Sequence, residues 1–244
     1  MNAFLEAIAW LADAANWSGP GSIPERLVQH LVLSVVVLVI AAVIALPIGA
    51  FIGHTGRGKA IAIGVSGGLR ALPTLGLLSI VGLWIGIGVG APVIALVVLA
   101  LPPLLAGAYA GFESVSRTTI DAARAMGMTG WQLAGRVELP LGLPILVGGI
   151  RSATLQIIAT ATLAAYLSDV GLGRFIFLGL RTASYDEILG GAILVIVLAL
   201  VIDGLFALLQ RLVVPAGVRE TRGMRARNRT HTNVGSPTDE GNRT

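Results

Sequence analysis

The chain has 244 residues, 55% of them hydrophobic and only 12% charged, with a mean hydropathy of +0.85. Its apolar runs are too long for a soluble core, so the composition excludes an ordinary soluble domain and implies an all-α protein that crosses a membrane several times. With no cysteine and three scattered histidines, disulfides and thiolate metal sites are excluded and no metal site is expected.

In chain order, Met1 to Trp17 is short and amphipathic. Phe4, Leu5, Ile8, Leu11, Ala12 and Ala15 share one side at helical spacing, with Glu6, Asp13 and Asn16 elsewhere. It reads as an interfacial helix, with Trp10 and Trp17 suited to the headgroup layer. Acids and no basic stretch argue against a secretory signal. Residues 1–26 are thus an external segment ending in the Gly/Pro/Ser turn Ser18 to Pro24.

Residues 27–214 form the membrane domain. The first span runs from about Leu27 to Ile52, with Pro47 near its far end and a small-residue pair at Gly49 and Gly53. Gly53 to Lys59 has the frame of a phosphate-binding loop. Ala60 stands where the magnesium-binding hydroxyl would be, and the stretch follows a membrane helix rather than a strand, so it reads as a basic connecting loop. Ile61 to about Gly88 is apolar but interrupted near its middle by Arg70 and Pro73; the proline breaks the helix. The third span runs from Ala91 to about Gly111 through Pro102-Pro103. The fourth runs from Leu141 to about Tyr166 and the fifth from Ile188 to Leu212. Between the last two, Ser168 to Glu187 reads as a polar external loop. Residues 215–244 carry Arg at 219, 222, 225, 227 and 229 and read as a basic, disordered tail.

Asp121 to Pro140 is the one long polar-containing segment in the middle of the chain. It lies within a loop of about residues 113–140. Its pattern suits a short amphipathic helix lying across a membrane face. If this loop is cytoplasmic, five spans put the N-terminus outside and the C-terminus inside. Arg57, Lys59, Arg117, Arg124, Arg136 and the basic tail then lie inside, while Arg26, Arg174 and Arg181 lie outside beside six acids. That asymmetry fits the positive-inside rule and was not used to place the spans.

The spacing in this loop resembles the signature of ABC importer permeases. Asp121-Ala122-Ala123 stand for Glu-Ala-Ala, Gly127 follows, and Val137 and Leu139-Pro140 close the pattern. Asp for Glu and Val for Ile are the departures. RALPTLGLL from Arg70, AARAMGMT from Ala122, VELPLGLPILVGGIR from Val137 and ATLAAYLSDVGLG from Ala161 resemble the osmoprotectant subgroup, roughly from Leu27 to Arg211.

The resemblance implies a type I importer permease of five spans in a bacterial cell membrane, with no catalysis of its own. Its coupling helix, including Asp121, Ala122, Ala123, Arg124, Met126, Gly127, Met128, Leu139 and Pro140, would dock on a cytoplasmic ABC ATPase dimer. ATP and magnesium would bind to that partner, and no cofactor to this chain. An extracytoplasmic binding protein and a second permease, the same chain or a sister, complete the implied assembly; nucleic acid has no part in it. The implied cargo is glycine betaine, choline, carnitine or proline. The alternatives are an amino acid such as methionine, or an ion-coupled secondary transporter, for which repeats and further spans are wanting. Charges within spans usually face protein or water. Arg70, Pro73 and Thr74 are therefore the candidate pathway residues. Arg151 and Asp203 are candidates for an intramembrane ion pair, or for interfacial positions near the cytoplasmic ends.

Overall fold

The computed structural model describes residues 3–213, and among these all regular structure is helical. The basic tail at 215–244 lies outside the described residues. The helices are α1 (Ala3–Ala12), α2 (Ile23–Thr55), α3 (Lys59–Ala71), α4 (Thr74–Ile85), α5 (Gly90–Glu113), α6 (Arg117–Ala125), α7 (Gly130–Leu133), α8 (Leu139–Ala161), α9 (Gly173–Thr182) and α10 (Tyr185–Val213). Four stretches are long and apolar enough to cross a membrane: α2, α5, the run from Gly130 to Tyr166, and α10. α3 and α4 make a fifth only as a pair, bent by 88° at their junction. The bend falls at Leu72-Pro73, where the proline withholds a backbone donor and both residues are extended. α2 and α5 are continuous through their own prolines.

α5 is the centre, with α2 on one side and α8 on the other. Lipid tails are as apolar as leucine, so close packing rather than water exclusion holds such helices together. Closeness here depends on glycine. A Cβ on Gly107 would lie 2.5 Å from the Cα of Gly149, and one on Gly142 would lie 2.3 Å from the carbonyl oxygen of Gly111. α5 and α8 therefore touch backbone to backbone at two levels along each helix. On the other side, a Cβ on Gly49 or Gly53 would meet α5 side chains at 2.6 Å. Around these contacts Leu33, Val37, Ala41 and Ala45 of α2 mesh with Leu96, Ala100 and Leu104 of α5 and Ile157 of α8. The four α2 positions recur every fourth residue, one stripe of the helix. Val32, Val35, Val39 and Val43 on the other sides are exposed, as a lipid-facing surface requires.

A second cluster joins α10 to the end of the bundle where α8 finishes, through Ile158, Leu172, Phe175, Val195 and Leu198. α1 belongs to it. Ala7 is fully buried, and the Trp10 ring meets Phe175 edge-on, 5.1 Å between centroids. Of the apolar side expected from the sequence, Phe4, Leu5 and Ile8 are exposed and Leu11 packs with Ala7 and Trp10 where α1 meets α10. The stretch expected to be a polar loop, Ser168 to Glu187, contains α9, which buries Phe175 and Gly179. Its polar residues are spaced so that one face stays apolar, and the run is too short to signal a span. His30 fastens this end. Its Nε2 donates to the Ile158 carbonyl at 3.0 Å, and its Nδ1 accepts from the Leu172 amide at 3.3 Å.

Arg151 lies half-way along α8, not near a cytoplasmic end as the sequence suggested for it. Its guanidinium makes a forked pair with Asp203 of α10, Nε to Oδ1 at 2.6 Å and Nη2 to Oδ2 at 2.7 Å, and Nη1 donates to Gln210 at 3.0 Å. The planar fork matches the carboxylate, and the two charges neutralise each other at depth.

The glycine contacts make a testable contrast. Gly149→Ala should destabilise the folded protein by about 1–3 kcal/mol, because the new methyl must push the α5 and α8 backbones apart. Gly204→Ala, on α10 where a Cβ meets nothing within 4 Å, should be neutral or stabilise by up to about 1 kcal/mol. Denaturant unfolding in mixed micelles checks both; equal effects at the two positions would contradict the packing argument.

Candidate coupling site

The segment from Ser116 to Glu138 is built by local rules at each step. Ser116 caps α6, its hydroxyl accepting from the Thr119 amide at 3.2 Å. α6 stops at Gly127, whose φ of +82° is open to glycine and strained for other residues. The Gly127 amide donates back to Arg124 at 2.9 Å and the Met128 amide to Ala123 at 3.3 Å, the paired bonds of a Schellman stop. Thr129 then starts α7 with a capping box. Its amide donates to Gln132 Oε1 at 2.9 Å, and its hydroxyl accepts from the Gln132 amide. Ala134–Glu138 form a π-helical turn leading into Leu139 and Pro140, the first residues of α8. Wide turns of this kind recur at functional positions in helices.

Of the residues singled out from the sequence, Ala123 is buried. Asp121, Ala122, Arg124, Met126, Gly127, Leu139 and Pro140 are exposed, and Met128 is half-buried. Ala123 and Leu133 anchor the segment. Met126 is 73% exposed and Trp131 91% exposed. Two large apolar side chains thus stand free on either side of the Gly127 turn, on a segment that is otherwise polar. Such a surface invites a protein partner.

Side-chain pairs bind this segment and its neighbours to the span ends. Glu138 is only 2% exposed, and its Oε2 lies 2.6 Å from Nδ1 of His54 in the last turn of α2. Gly130 packs against the other side of that imidazole, where a Cβ would lie 3.6 Å from Nε2. Beside it, Lys59 at the start of α3 pairs with Glu113 at the end of α5 at 2.7 Å and sits 5.1 Å from the centre of the Tyr109 ring. The Tyr109 hydroxyl also bonds Glu113. The ends of α2, α3, α5 and the start of α8 are therefore pinned at one rim. Little in the sequence announces this. Glu138 is the unspecified residue between Val137 and Leu139-Pro140, and its partner lies far away along the chain.

Arg70, Pro73 and Thr74 lie away from this rim, at the α3–α4 break. Arg70 is exposed and makes no ion pair among the described residues. It lines a cavity of about 300 Å³ between α3 and α5, with Lys59, Ser66 and Tyr109. The structure does not bring Arg70 together with Arg151 or Asp203, which belong to the α8–α10 contact. Among the described residues no three His, Asp or Glu side chains converge on a point.

The His54–Glu138 contact is open to a cycle. His54→Ala leaves a buried carboxylate without its partner and should cost about 1–3 kcal/mol of stability. Adding Glu138→Gln to that variant removes the charge and should restore some of the loss. Thermal unfolding of the purified protein checks this, and additive losses would contradict it.

Residues 45–216 match the family described as binding-protein-dependent transport system inner membrane component. The chain is 37% identical over 194 residues to the carnitine transport permease protein OpuCB of Listeria monocytogenes, covering 80% of this chain and 89% of that one. It is 33% identical over 199 residues to the glycine betaine/carnitine/choline transport system permease protein OpuCB of Bacillus subtilis, covering 82% and 92%. Against the osmoprotectant import permease protein OsmW of Salmonella typhimurium the identity is 30%, over 88% of this chain and all of the relative. Among solved structures, a chain of the MetNI methionine ABC transporter in an inward-facing conformation superposes with a TM-score of 0.67 at 21% identity. That match covers 77% of this chain and 94% of the other, a likeness of fold.

Proposed function

The chain belongs to the binding-protein-dependent transport system inner membrane components, and on that premise we propose that it is the permease subunit of an ATP-driven importer for osmoprotectants of the carnitine, glycine betaine and choline class. The observation that supports this cargo is the likeness to carnitine and glycine betaine permeases over about four-fifths of the chain. The methionine transporter shares the fold at lower identity. In this reading ATP and magnesium belong to a separate ATPase pair, and a binding protein delivers substrate from outside. The pathway forms between this chain and a second permease. The N-terminus is outside and the C-terminus inside, as the placement of Arg and Lys favours.

The coupling then follows from local geometry. The ATPase grips Met126, Trp131 and the Gly127 turn. The caps at Ser116 and Thr129 and the Schellman stop keep the segment stiff, so a push on it moves it as a unit. The His54–Glu138 and Lys59–Glu113 pairs carry that displacement to α2, α3 and α5. The compliant point is the α3–α4 break, where an 88° bend at Pro73 replaces a continuous ladder. Arg70 and Thr74 flank it, and in this reading they change exposure as the pathway opens.

Gly127 supplies the test. A Cβ there meets nothing within 4 Å, so any penalty is backbone strain and not a clash. Strain of about 1–2 kcal/mol for alanine at this φ lowers the population of the docked loop by a factor of about 5–30. Gly127→Ala should therefore reduce ATP-driven uptake by about that factor in proteoliposomes containing the whole importer, and Gly127→Val by more. Membrane insertion should stay normal. Unchanged uptake and ATP hydrolysis in both variants would remove the coupling reading.

A further inference from the structure

The outer end of the chain holds a cleft that the coupling account does not use. α5 begins at Gly90 and ends at Glu113 on the coupling rim, and α8 begins at that rim and ends at Ala161. Val89 and Tyr166 therefore lie at the far end of the bundle from the coupling site. A cleft of about 290 Å³ opens there, lined by Gly88, Tyr166, Asp169, Arg174 and Arg181 among others.

Its chemistry is two-sided. Tyr166 is 54% exposed, and its ring lies 5.9 Å from that of Phe177. The short helical turn after α8 brings Tyr166 there, and α9 brings Phe177. On α9 Arg174, Phe177 and Arg181 follow at intervals of three and four, so they share one face. Asp169 is already committed. Arg174 pairs with it at 2.8 Å and Arg26 at 3.2 Å. Arg181 makes no ion pair among the described residues. The cleft thus offers one exposed aromatic ring, Tyr166, with Phe177 packed against it, and more guanidinium than carboxylate.

We propose that this cleft is an entry subsite for a small zwitterion carrying a quaternary ammonium and a carboxylate, with Tyr166, held by Phe177, facing the ammonium and Arg181 the carboxylate. Ring faces attract a cation that cannot donate hydrogen bonds, and a guanidinium pairs with a carboxylate. Glycine betaine and carnitine carry both groups, while choline carries only the ammonium. The site rests on the importer reading above and deepens it. An acidic patch of a docking protein would use the arginines but has no need of the exposed Tyr166 ring beside them.

The test uses the purified permease with its ATPase and without binding protein, titrated with glycine betaine and with choline. Saturation-transfer NMR from aromatic protons to the ligand N-methyl groups reads contact. Both ligands should show transfer. Tyr166→Ala should weaken both by about tenfold. Arg181→Gln should weaken glycine betaine by about tenfold and leave choline unchanged. No contact with either ligand, or equal weakening of both by Arg181→Gln, would overturn the subsite. So would an Arg181→Gln variant that binds glycine betaine normally but loses affinity for the loaded binding protein. ATP-driven uptake by the unaltered importer tests the underlying reading separately: uptake without contact at the cleft sinks only the subsite.

Discussion

The close approach of α5 to α8 at Gly107 and Gly149 is the constraint on which the rest of this structure depends. A gap left by even one extra methyl group would cost the dispersion contacts that hold helices together in lipid. With the backbones touching, α5 and α8 act as one body. α2 is seated against that body by Gly49 and Gly53. The segment from Ser116 to Glu138 connects the end of α5 to the start of α8, so both its roots lie in the tightest region of the fold. A push on the segment therefore finds no slack at its roots.

Stiffness at one place makes compliance at another useful. α3 and α4 contact the bundle less than α2 or α8 does, and α3 buries no residue completely. The break at Pro73 lies between them. Backbone groups freed at such a break need protein or water as partners. The Arg151–Asp203 pair has the opposite role. It fixes α10 to α8 at a depth where an unpaired charge is disfavoured, and Gln210 takes up a further guanidinium donor. The importer reading needs both properties: a core that transmits force without deforming, and one broken helix that can yield.

What could be read from the sequence divides by the range of the interaction. Spans were legible from apolar length, since a membrane-crossing helix announces itself locally. The break at Pro73 was legible because proline's missing donor is a local fact. The Gly127 turn was legible from its spacing. α9 was not, because its apolar face shows only once Phe175 and Gly179 meet α10. The packing of α1 on α10 was not read from the sequence for a related reason. Phe4, Leu5 and Ile8 are exposed while Ala7, Trp10 and Leu11 meet the protein, and nothing in the spacing of these apolar residues tells the two sets apart. Glu138 and His54 could not be paired from sequence. No periodicity links positions so far apart, and a buried carboxylate looks the same in sequence as an exposed one.

The central claim is that the Met126–Trp131 surface is where force from an ATPase enters the chain. A photo-reactive amino acid placed at Met126 in the assembled importer tests this directly. The account predicts a covalent product with the ATPase subunit, whose yield changes when ATP closes the ATPase pair, while a probe at Trp84 on the far end gives none. A Met126 probe that captures only lipid, in an importer that still takes up substrate on ATP hydrolysis, would contradict it.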